Sequence, residues 1–282
     1  MTQEIKNQLI GVCRFSYLGD GGFIASGRKQ DELEAHLYGA ERMLRRFAFF
    51  EAMCLPSLAA QTDQNFTLVA LIGDTMPYRW RRKLKNLMDV YPFLQICTLE
   101  AAGPLNSTRR AFRRATDDDA DFVTGFRIDD DDAVAIDYIA KTRAMADHLL
   151  AHGFADANNP AVIAYHHGLY WDLNDHEAPF YDFSETAPLG LASAMITPAD
   201  MQTNIFRWNH RRLAAHCRCW LDPTERMFVR TLHRHNDSDR SIPPGSIPVG
   251  LPKARRILEE RFGLDTTKVI PLMWRKKAAP EE

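Results

Sequence analysis

The chain has 282 residues and a formal net charge of −2, so it can form one large α/β domain or two small ones, and it is not basic like a general nucleic-acid binder. No apolar run reaches the ~18–20 residues that span a bilayer, and the first residues lack the pattern of a signal peptide. The five cysteines include no C-x-x-C pair, which argues against a zinc ribbon or a disulfide framework and leads us to expect a cytoplasmic protein with reduced thiols.

The first half of the chain alternates predicted strands with predicted helices. Buried strands are predicted at residues 9–15, 66–73 and 94–99, and in the apolar run that starts at residue 122. Helices are predicted at residues 41–58, where Pro56 should bend or end the helix, at residues 78–90, and after Asn106 or Ser107, either of which can cap the first turn. Glycine-rich residues 16–29 predict a mobile loop. This alternation is typical of a mostly parallel sheet with crossover helices.

The second half has a mixed pattern. Residues 136–153 and 203–219 are predicted to be helical, and residues 161–173 and 189–197 to be strands. Residues 225–232 suit a strand or a helix equally. A proline-rich loop then precedes a final amphipathic helix at residues 253–262.

The strongest chemical signal is the end of the fourth predicted strand, where four consecutive aspartates, Asp129 to Asp132, follow an apolar run. Adjacent carboxylates repel one another unless a cation neutralises them, and Mg²⁺ and Mn²⁺ prefer carboxylate oxygens. A single Asp at a strand end is usually a turn former. Four of them after an apolar strand favour a metal–phosphate site over a solvated acidic loop.

Polar residues also end two other predicted strands. Arg14 ends the first strand and Asp74 follows the second. Since ligands of open parallel sheets bind outside the carboxyl ends of the strands, we expect these residues to share one edge with the acidic run. A nucleoside diphosphate bridged by a metal would suit that edge. Arg109 and Arg110, near the start of the third predicted helix, are further candidates for binding the anion.

Later residues could complete this site. His233 follows an apolar run and is a candidate metal or phosphate ligand, because imidazole and carboxylates together suit Mn²⁺ or Mg²⁺. A general base must lie within hydrogen-bond reach of its substrate, which a sequence does not reveal. Asp175, Glu177 and Glu185, in a loop-rich stretch between two predicted strands, are weak candidates for that role.

Several of these segments resemble a known family. R-I-D-D-D-D resembles the D-x-D motif of nucleotide-sugar glycosyltransferases of the GT-A fold. More closely, the chain resembles the "putative rhamnosyltransferase" family of bacterial GT-A-like proteins, over about residues 9–240. The matching segments are R-F at 14–15, C-L-P-S-L-x-x-Q-T at 54–62, F-T-L-V-x-L-I-G-D at 66–74, R-I-D-D-D-D-A at 127–133 and H-x-x-N-x-S at 233–238.

The resemblance implies a GT-A-like, Rossmann-type α/β fold, in which a mostly parallel sheet is flanked by helices and the C-terminal half is mixed. It implies metal-dependent transfer of a sugar, rhamnose by the family name, from a nucleoside diphosphate sugar to a hydroxyl of a glycan, a lipid-linked acceptor or a small molecule. The nucleotide-binding half would be residues 1–135 and the acceptor-side, metal-completing half residues 136–275. Together they would form a single domain, followed by a disordered tail at 276–282.

The resemblance also implies roles for individual residues. Asp129 would face the ribose or the donor sugar, Asp131 would bind Mn²⁺ or Mg²⁺, and His233 would complete the metal shell. Asp130 and Asp132 could share either task, because four acids allow two frames of D-x-D. Arg14 and Asp74 would lie near the nucleotide, and no catalytic base is transferred.

Two other function classes stay open from the sequence. A metal-dependent phosphoesterase or phosphotransferase also gathers acids around Mg²⁺. A non-enzymatic binding protein could use the acids for a metal-stabilised loop. No nucleic-acid partner is expected. The basic run at residues 79–85, the last amphipathic helix and the basic tail allow peripheral membrane contact, although a solvated helix face is the simpler interpretation.

Overall fold

The computed structural model describes residues 5–19, 30–175, 179–200, 202–233 and 241–273. The strands are β1 (Asn7–Arg14), β2 (Thr67–Gly73), β3 (Leu94–Leu99), β4 (Phe122–Arg127), β5 (Ala133–Val134), β6 (Ala161–Asp172), β7 (Phe180–Ser184), β8 (Ser193–Pro198), β9 (Arg218–Leu232) and β10 (Ile247–Pro248). The α-helices are α1 (Gln30–Tyr38), α2 (Ala40–Phe49), α3 (Leu55–Ala59), α4 (Tyr78–Met88), α5 (Pro104–Ala115), α6 (Tyr138–Ala151), α7 (Leu251–Phe262) and α8 (Thr266–Met273).

The first four strands form the parallel part of the sheet. β1 pairs with β2 and with β4, and β2 pairs with β3, all in parallel. The spatial order β3-β2-β1-β4 brings the carboxyl ends of all four strands to one edge. β1, β2 and β4 are mostly buried on both faces, which explains their nearly continuous apolar sequences; β3, at the edge, is partly exposed.

The second half of the chain adds a mixed region to this sheet. β8 pairs antiparallel with both β4 and β6, and β7 pairs antiparallel with β6. The long β9 runs parallel to β6 and also pairs antiparallel with β5, directly after the acidic run. The chain therefore returns to the carboxyl edge of β4 from about a hundred residues downstream.

Helices cover both faces of the sheet. One apolar cluster contains side chains of α1, α2, α3, α4, α6, α7 and α8. The cluster on the other face is filled by α5, with Phe112 at its centre, and by Ile205 and Leu213. The predicted α/β class, a mostly parallel sheet flanked by helices with a mixed second half, is confirmed.

A single long helical segment runs from Ala40 to Ala59 and contains a π-helical turn at Phe50–Cys54. In this turn the Leu55 N–H donates to the Phe50 carbonyl, five residues back. Pro56 lies in the first turn of α3, where the missing N–H costs little. The helix predicted at residues 41–58 is therefore present, and it continues past Pro56.

The prediction of a helix over residues 203–219 is wrong. These residues are irregular, with a short 3₁₀ helix at His210–Ala215, and β9 begins at Arg218. Asn204 and Asn209 accept hydrogen bonds from backbone N–H groups two residues ahead, at Phe206 and Arg211. Such local bonds compete with helix formation. Residues 225–232 are strand.

Other boundaries also differ from the expectation. α5 begins at Pro104 after Gly103 and has no side-chain cap. Asn106 and Ser107 lie inside its first turn, where the Ser107 hydroxyl donates to the Pro104 carbonyl. The sequence did not predict α1, α8, β7 and β10. Residues 20–29 of the predicted loop and the predicted tail at 276–282 lie outside the described residues. Within the described part of the chain, the helices lack the length and apolar character needed to cross a membrane.

Candidate functional site

The carboxyl edge of the parallel strands collects charged side chains from several segments. Arg14 is the last residue of β1 and Arg127 the last residue of β4. The Ile128 N–H donates to the Val12 carbonyl at 3.4 Å, so the start of the acidic run lies beside the end of β1. Asp74 follows the neighbouring strand β2, and its N–H donates to the Leu99 carbonyl at 3.1 Å.

Asp129 to Asp132 form a tight turn, which we call the acidic turn, and the Asp132 N–H donates to the Asp129 carbonyl at 3.3 Å. The turn has two faces. Asp129 and Asp131 make up its outer face, and the Asp129 side chain is 45% exposed. Asp130 and Asp132 make up its inner face, and the Asp130 side chain is only 4% exposed. The four acids therefore have different surroundings despite their adjacency.

The inner face is held by contacts within the protein. Asp130 forms an ion pair with Arg46 of α2, and Arg46 also donates to the Arg14 carbonyl at 3.2 Å. Burial raises the pKa of Asp130 to about 7, and Asp131 and Asp129 add to this rise while Arg46 opposes it. The Asp132 carboxylate accepts from the Thr231 N–H at 3.2 Å, and burial raises its pKa well above the usual value. Both carboxylates are thus engaged by groups of the protein itself.

The outer face begins with Asp129, which pairs with Arg127 at 3.2 Å. Burial acts to raise the pKa of Asp129, but Arg127, Arg14 and Arg46 outweigh it and lower that pKa. Asp129 is therefore ionised at neutral pH. It faces the open edge of the sheet, where it can accept hydrogen bonds from a ligand.

Arg14 and Arg127 share an aromatic support, and we call them the guanidinium pair. Their Cζ atoms lie 5.5 Å and 5.2 Å from the centroid of the Phe206 ring. A Cβ atom at Gly190 would lie 2.8 Å from the Arg127 Cζ, so the absence of a side chain there makes room for this guanidinium. Two positive groups at one strand edge, held against a ring, are suited to binding an anion.

Asp131 lies with His233 on the outer face of the turn. The Asp131 carboxylate is 2.8 Å from His233 Nε2, and both side chains are largely buried. Phe49, at the end of α2, stacks on the imidazole at 5.0 Å and 15°. Thr231 donates its hydroxyl to the Asp131 carbonyl at 2.8 Å. The stacking thus orients the ring, and the Thr231 hydrogen bond holds the backbone of the acidic turn at Asp131.

These two residues fit a divalent cation by their chemistry. One carboxylate and one imidazole are ligands that Mn²⁺ and Mg²⁺ accept, and so few protein ligands leave coordination positions for phosphate oxygens. Asp132 points away from the pair, toward Thr231. Among the described residues, no group of three or more His, Cys, Asp or Glu side chains converges on one point.

A second cluster lies around Glu185, one of the candidate bases. Tyr170 donates its hydroxyl to the buried Glu185 carboxylate, and Arg211 approaches the other oxygen at 3.3 Å. Arg230 lies over the Tyr170 ring at 5.7 Å. Asp175, another candidate, lies in a turn where its N–H donates to the Asp172 carbonyl at 3.4 Å. Glu177 lies outside the described residues.

His210 lies among the basic groups of this region. Burial lowers its pKa to about 4, and Arg127, Arg211 and Arg230 contribute to the lowering. The imidazole is therefore neutral at physiological pH. Burial is the main cause of this low pKa, and the three arginines add a positive field that would also favour a bound anion.

Arg109 and Arg110 are not brought to this cluster. Arg109 donates to the Gln202 side chain at 2.6 Å, and Arg110 is exposed to solvent. Because α5 begins at Pro104, both arginines fall in its second turn, beyond the free N–H groups that make a helix start attractive to anions. We expect no role for them in binding a ligand at the acidic turn.

The residues of the site that sequence reasoning missed include Arg46, Arg127, Phe206, Gly190 and Arg230. Arg46 carries a usable signal, because it lies three residues after Met43 and four before Phe50, within the apolar face of a predicted helix. A charge on such a face needs a buried partner. Phe206, Gly190 and Arg230 come from segments without any such periodic signal.

Comparison with known proteins gives a family match and weak structural similarities. The family described as "putative rhamnosyl transferase" matches residues 8–245. No curated protein matches. Three solved structures are similar to this chain. S. aureus TarS has 14% identity and a TM-score of 0.42, with 81% of this chain and 37% of TarS covered. S. aureus TarS 1–349 in complex with UDP-GlcNAc has 15% identity and a TM-score of 0.42, with 82% and 60% covered, and a "putative nucleotide-diphospho-sugar transferase" of Desulfovibrio desulfuricans G20 has 11% identity and a TM-score of 0.32, with 81% and 82% covered.

The family match places the chain in the class of the glycosyltransferases. Within that class, the chain belongs to the "putative rhamnosyl transferase" family, whose pattern covers most of its length. The chain spans less than two thirds of either form of TarS.

Proposed function

We propose that this protein is a metal-dependent glycosyltransferase that uses a nucleoside diphosphate sugar as its donor. One observation carries the proposal: the outer face of the acidic turn places the Asp131–His233 pair two residues away from Asp129 and its partner, the Arg127 guanidinium. A metal-binding pair and an anion-binding pair are thus adjacent at the carboxyl edge of a parallel sheet, where such ligands bind.

Asp131 and His233 would hold the cation. Bound Mn²⁺ or Mg²⁺ would offset the negative charge that builds up on the leaving diphosphate. The stacked ring of Phe49 keeps the His233 imidazole in one orientation. The buried contacts of Asp130 and Asp132 hold the turn itself in place.

The guanidinium pair would bind the diphosphate oxygens, and Asp129 would accept hydrogen bonds from the ribose or the donor sugar. Positive groups fixed before the reaction stabilise the charge on the leaving group without reorganising. Asp74, exposed at the end of the neighbouring strand, would lie at the nucleotide side of the same edge. Of the three candidate bases, Glu185 is engaged by Tyr170 and Arg211, and we assign it the role of positioning those groups.

The family name favours rhamnose as the transferred sugar, and the acceptor would be a hydroxyl of a glycan, a lipid-linked saccharide or a small molecule. The proposal does not depend on which of these is used. It depends on a donor that carries a diphosphate.

Calorimetric titration with UDP, GDP and dTDP, with and without Mn²⁺, tests the proposal. The parent protein should bind at least one nucleotide more tightly with Mn²⁺ than without it. Asp131→Ala should reduce this Mn²⁺-dependent increase in affinity at least ~10-fold. Asp119→Ala is the matched control, because it removes an exposed carboxylate that pairs with Lys6 at the opposite edge of the sheet.

Equal metal-assisted binding by the parent and Asp131→Ala would contradict the assignment. Release of inorganic phosphate from simple phosphoesters, without transfer of a sugar, would instead favour the phosphoesterase alternative.

A further inference from the structure

The outward surface of α4 stands apart from the rest of the chain in its charge. The helix reads Y-R-W-R-R-K-L-K-N-L-M and contains five basic residues and no acid, although the whole chain has 35 basic and 37 acidic residues. The first acid after it is Asp89, which caps its C-terminus. The positive charge of this helix is thus a local feature.

Two of the five basic residues are used within the fold. Lys83 pairs with Glu51 at 2.5 Å, and the Arg79 guanidinium lies over the Trp80 ring at 4.6 Å. The other three, Arg81, Arg82 and Lys85, are exposed, and in the described part of the chain they form no ion pair. Because Trp80 and Leu84 face the core, the helical repeat turns these three side chains outward.

Two large apolar side chains are also exposed, one on α4 and one on α2. Tyr78, at the start of α4, is 71% exposed, and Leu44 of α2 is 57% exposed. Phe47 stacks on Trp80 at 5.8 Å and Glu51 meets Lys83, so α2 and α4 run side by side in the same direction. Leu44, one turn before Phe47, is therefore at the same end of the helix pair as Tyr78.

We propose that this surface, formed by Tyr78, Arg81, Arg82 and Lys85 of α4 with Leu44 of α2, docks the protein onto an anionic lipid bilayer. Basic side chains are attracted to the negative surface of such a membrane. A tyrosine and a leucine at the rim can enter the headgroup region. A general polyanion would use the charges but would have no use for the exposed apolar pair.

The position of this surface adds a geometric consequence. α4 follows β2, so its first turn lies at the carboxyl edge of the sheet, which also carries the acidic turn. A protein docked through Tyr78 would hold that edge near the bilayer. This arrangement would favour an acceptor hydroxyl presented at a membrane surface, and the docking itself does not depend on the proposed transfer reaction.

Cosedimentation with phosphatidylcholine vesicles, with and without phosphatidylglycerol, tests the docking. The parent chain should bind only the vesicles with phosphatidylglycerol, and less strongly as salt rises. Arg81→Glu/Arg82→Glu/Lys85→Glu should lower the partition coefficient by at least ~10-fold, since each basic residue near the surface contributes severalfold. Leu44→Ala/Tyr78→Ala should lower it severalfold with the charge unchanged.

The matched control is Lys253→Glu/Arg255→Glu/Arg256→Glu. These residues are exposed on α7, a helix of similar length that also carries Glu259 and Glu260, so the change in net charge is identical. The control should bind vesicles like the parent chain, and both triple variants should keep the parent's nucleotide affinity.

Three outcomes would overturn the proposal. The first is a parent chain that does not bind anionic vesicles, and the second is an equal loss of vesicle binding in both triple variants. The third is that Leu44→Ala/Tyr78→Ala leaves vesicle binding unchanged while the parent chain binds soluble heparin as it binds vesicles. Loss of nucleotide binding in the parent chain would count against the proposed function and leave this test intact.

Discussion

The outer and inner faces of the acidic turn are built from identical side chains in different surroundings. On the inner face, Asp130 pairs with Arg46 and Asp132 accepts from Thr231, and both carboxyls are buried. On the outer face, Asp129 pairs with Arg127 at the open edge, and Asp131 meets His233. The pattern D-x-D describes spacing, whereas the role of each acid follows from the direction in which the turn points it.

The pKa values follow the same division. The pKa of Asp130 rises to about 7 through burial and its acidic neighbours, against the influence of Arg46. The pKa of Asp129 falls, because three arginines outweigh burial. A ligand at the edge would therefore meet a charged Asp129. Substitutions on the two faces should accordingly separate effects on stability from effects on binding.

The largest expected effect is on the inner face. Asp130→Ala leaves the Arg46 guanidinium buried without its partner, and breaking a buried ion pair from one side costs ~3–5 kcal/mol of unfolding free energy. Urea denaturation measures this change. Arg46→Met/Asp130→Leu, which removes both charges, should recover part of the loss. A loss below ~1 kcal/mol for the single variant would show that the inner face is not structural.

The next effect concerns the positive field around His210. Its pKa is about 4 in the folded protein and ~6.5 when unfolded, so the unfolded chain binds more protons between these values. Stability should therefore fall as pH drops from ~6.5 to ~4, by up to ~3 kcal/mol from this group.

Urea denaturation at several pH values measures this fall. His210→Asn should remove the His210 contribution, whereas His148→Asn, on the exposed side of α6, should keep it. Binding of a nucleoside diphosphate should raise the His210 pKa, because its charge offsets the arginines, and NMR titration would follow that change. An unchanged pKa in the complex would place the anion elsewhere.

Asp129→Asn tests the outer face itself. Because Asp129 is partly exposed, unfolding free energy should change by less than ~1 kcal/mol, while affinity for a nucleoside diphosphate sugar should fall about tenfold through a lost charge-assisted hydrogen bond. Calorimetry gives both the sign and the size of the change in affinity. If the variant binds the donor more tightly, Asp129 acts only as a counter-ion that competes for Arg127.

The smallest effect is expected for the aromatic support of the guanidinium pair. Phe206→Leu removes two cation–π contacts, each worth ~0.5 kcal/mol at a partly exposed site, so nucleoside diphosphate affinity should fall about fivefold. Phe206→Tyr keeps the ring and should bind like the parent. Equal losses in both variants would mean that shape, and not the ring face, positions the arginines.

The sequence predicted the parallel part of the fold well, because β1 to β4 are continuous apolar strands separated by helices. It also placed Arg14, Asp74 and the acidic turn at one edge, since the rule for carboxyl ends needs only strand order and direction. The prediction of a helix at residues 203–219 was wrong, because Asn204 and Asn209 form local turns that the spacing of apolar residues does not reveal.

The contacts that distinguish the two faces of the acidic turn could not be predicted from the sequence. Arg46 and Asp130 are 84 positions apart and His233 and Asp131 are 102 apart, so their pairing depends on how whole segments pack. The sequence nevertheless indicates His233 as a candidate metal ligand, because it follows an apolar run, and the family resemblance implies the same role. The inward direction of Asp130 and Asp132 depends on the geometry of the turn, which cannot be predicted from four consecutive aspartates.

The π-helical turn at Phe50–Cys54 sets the phase between two parts of one helical segment. Before it, Arg46 and Phe49 face the acidic turn and His233, while Met43 and Phe47 pack in the core. After it, Leu55 and Leu58 also pack in the core. In an α-helix each residue advances the side-chain direction by about 100°. Deleting one residue from the turn would restore regular winding, and then one set of side chains would have to rotate out of register. The extra residue therefore keeps the contacts that α2 makes to the site in register with the core contacts of α3.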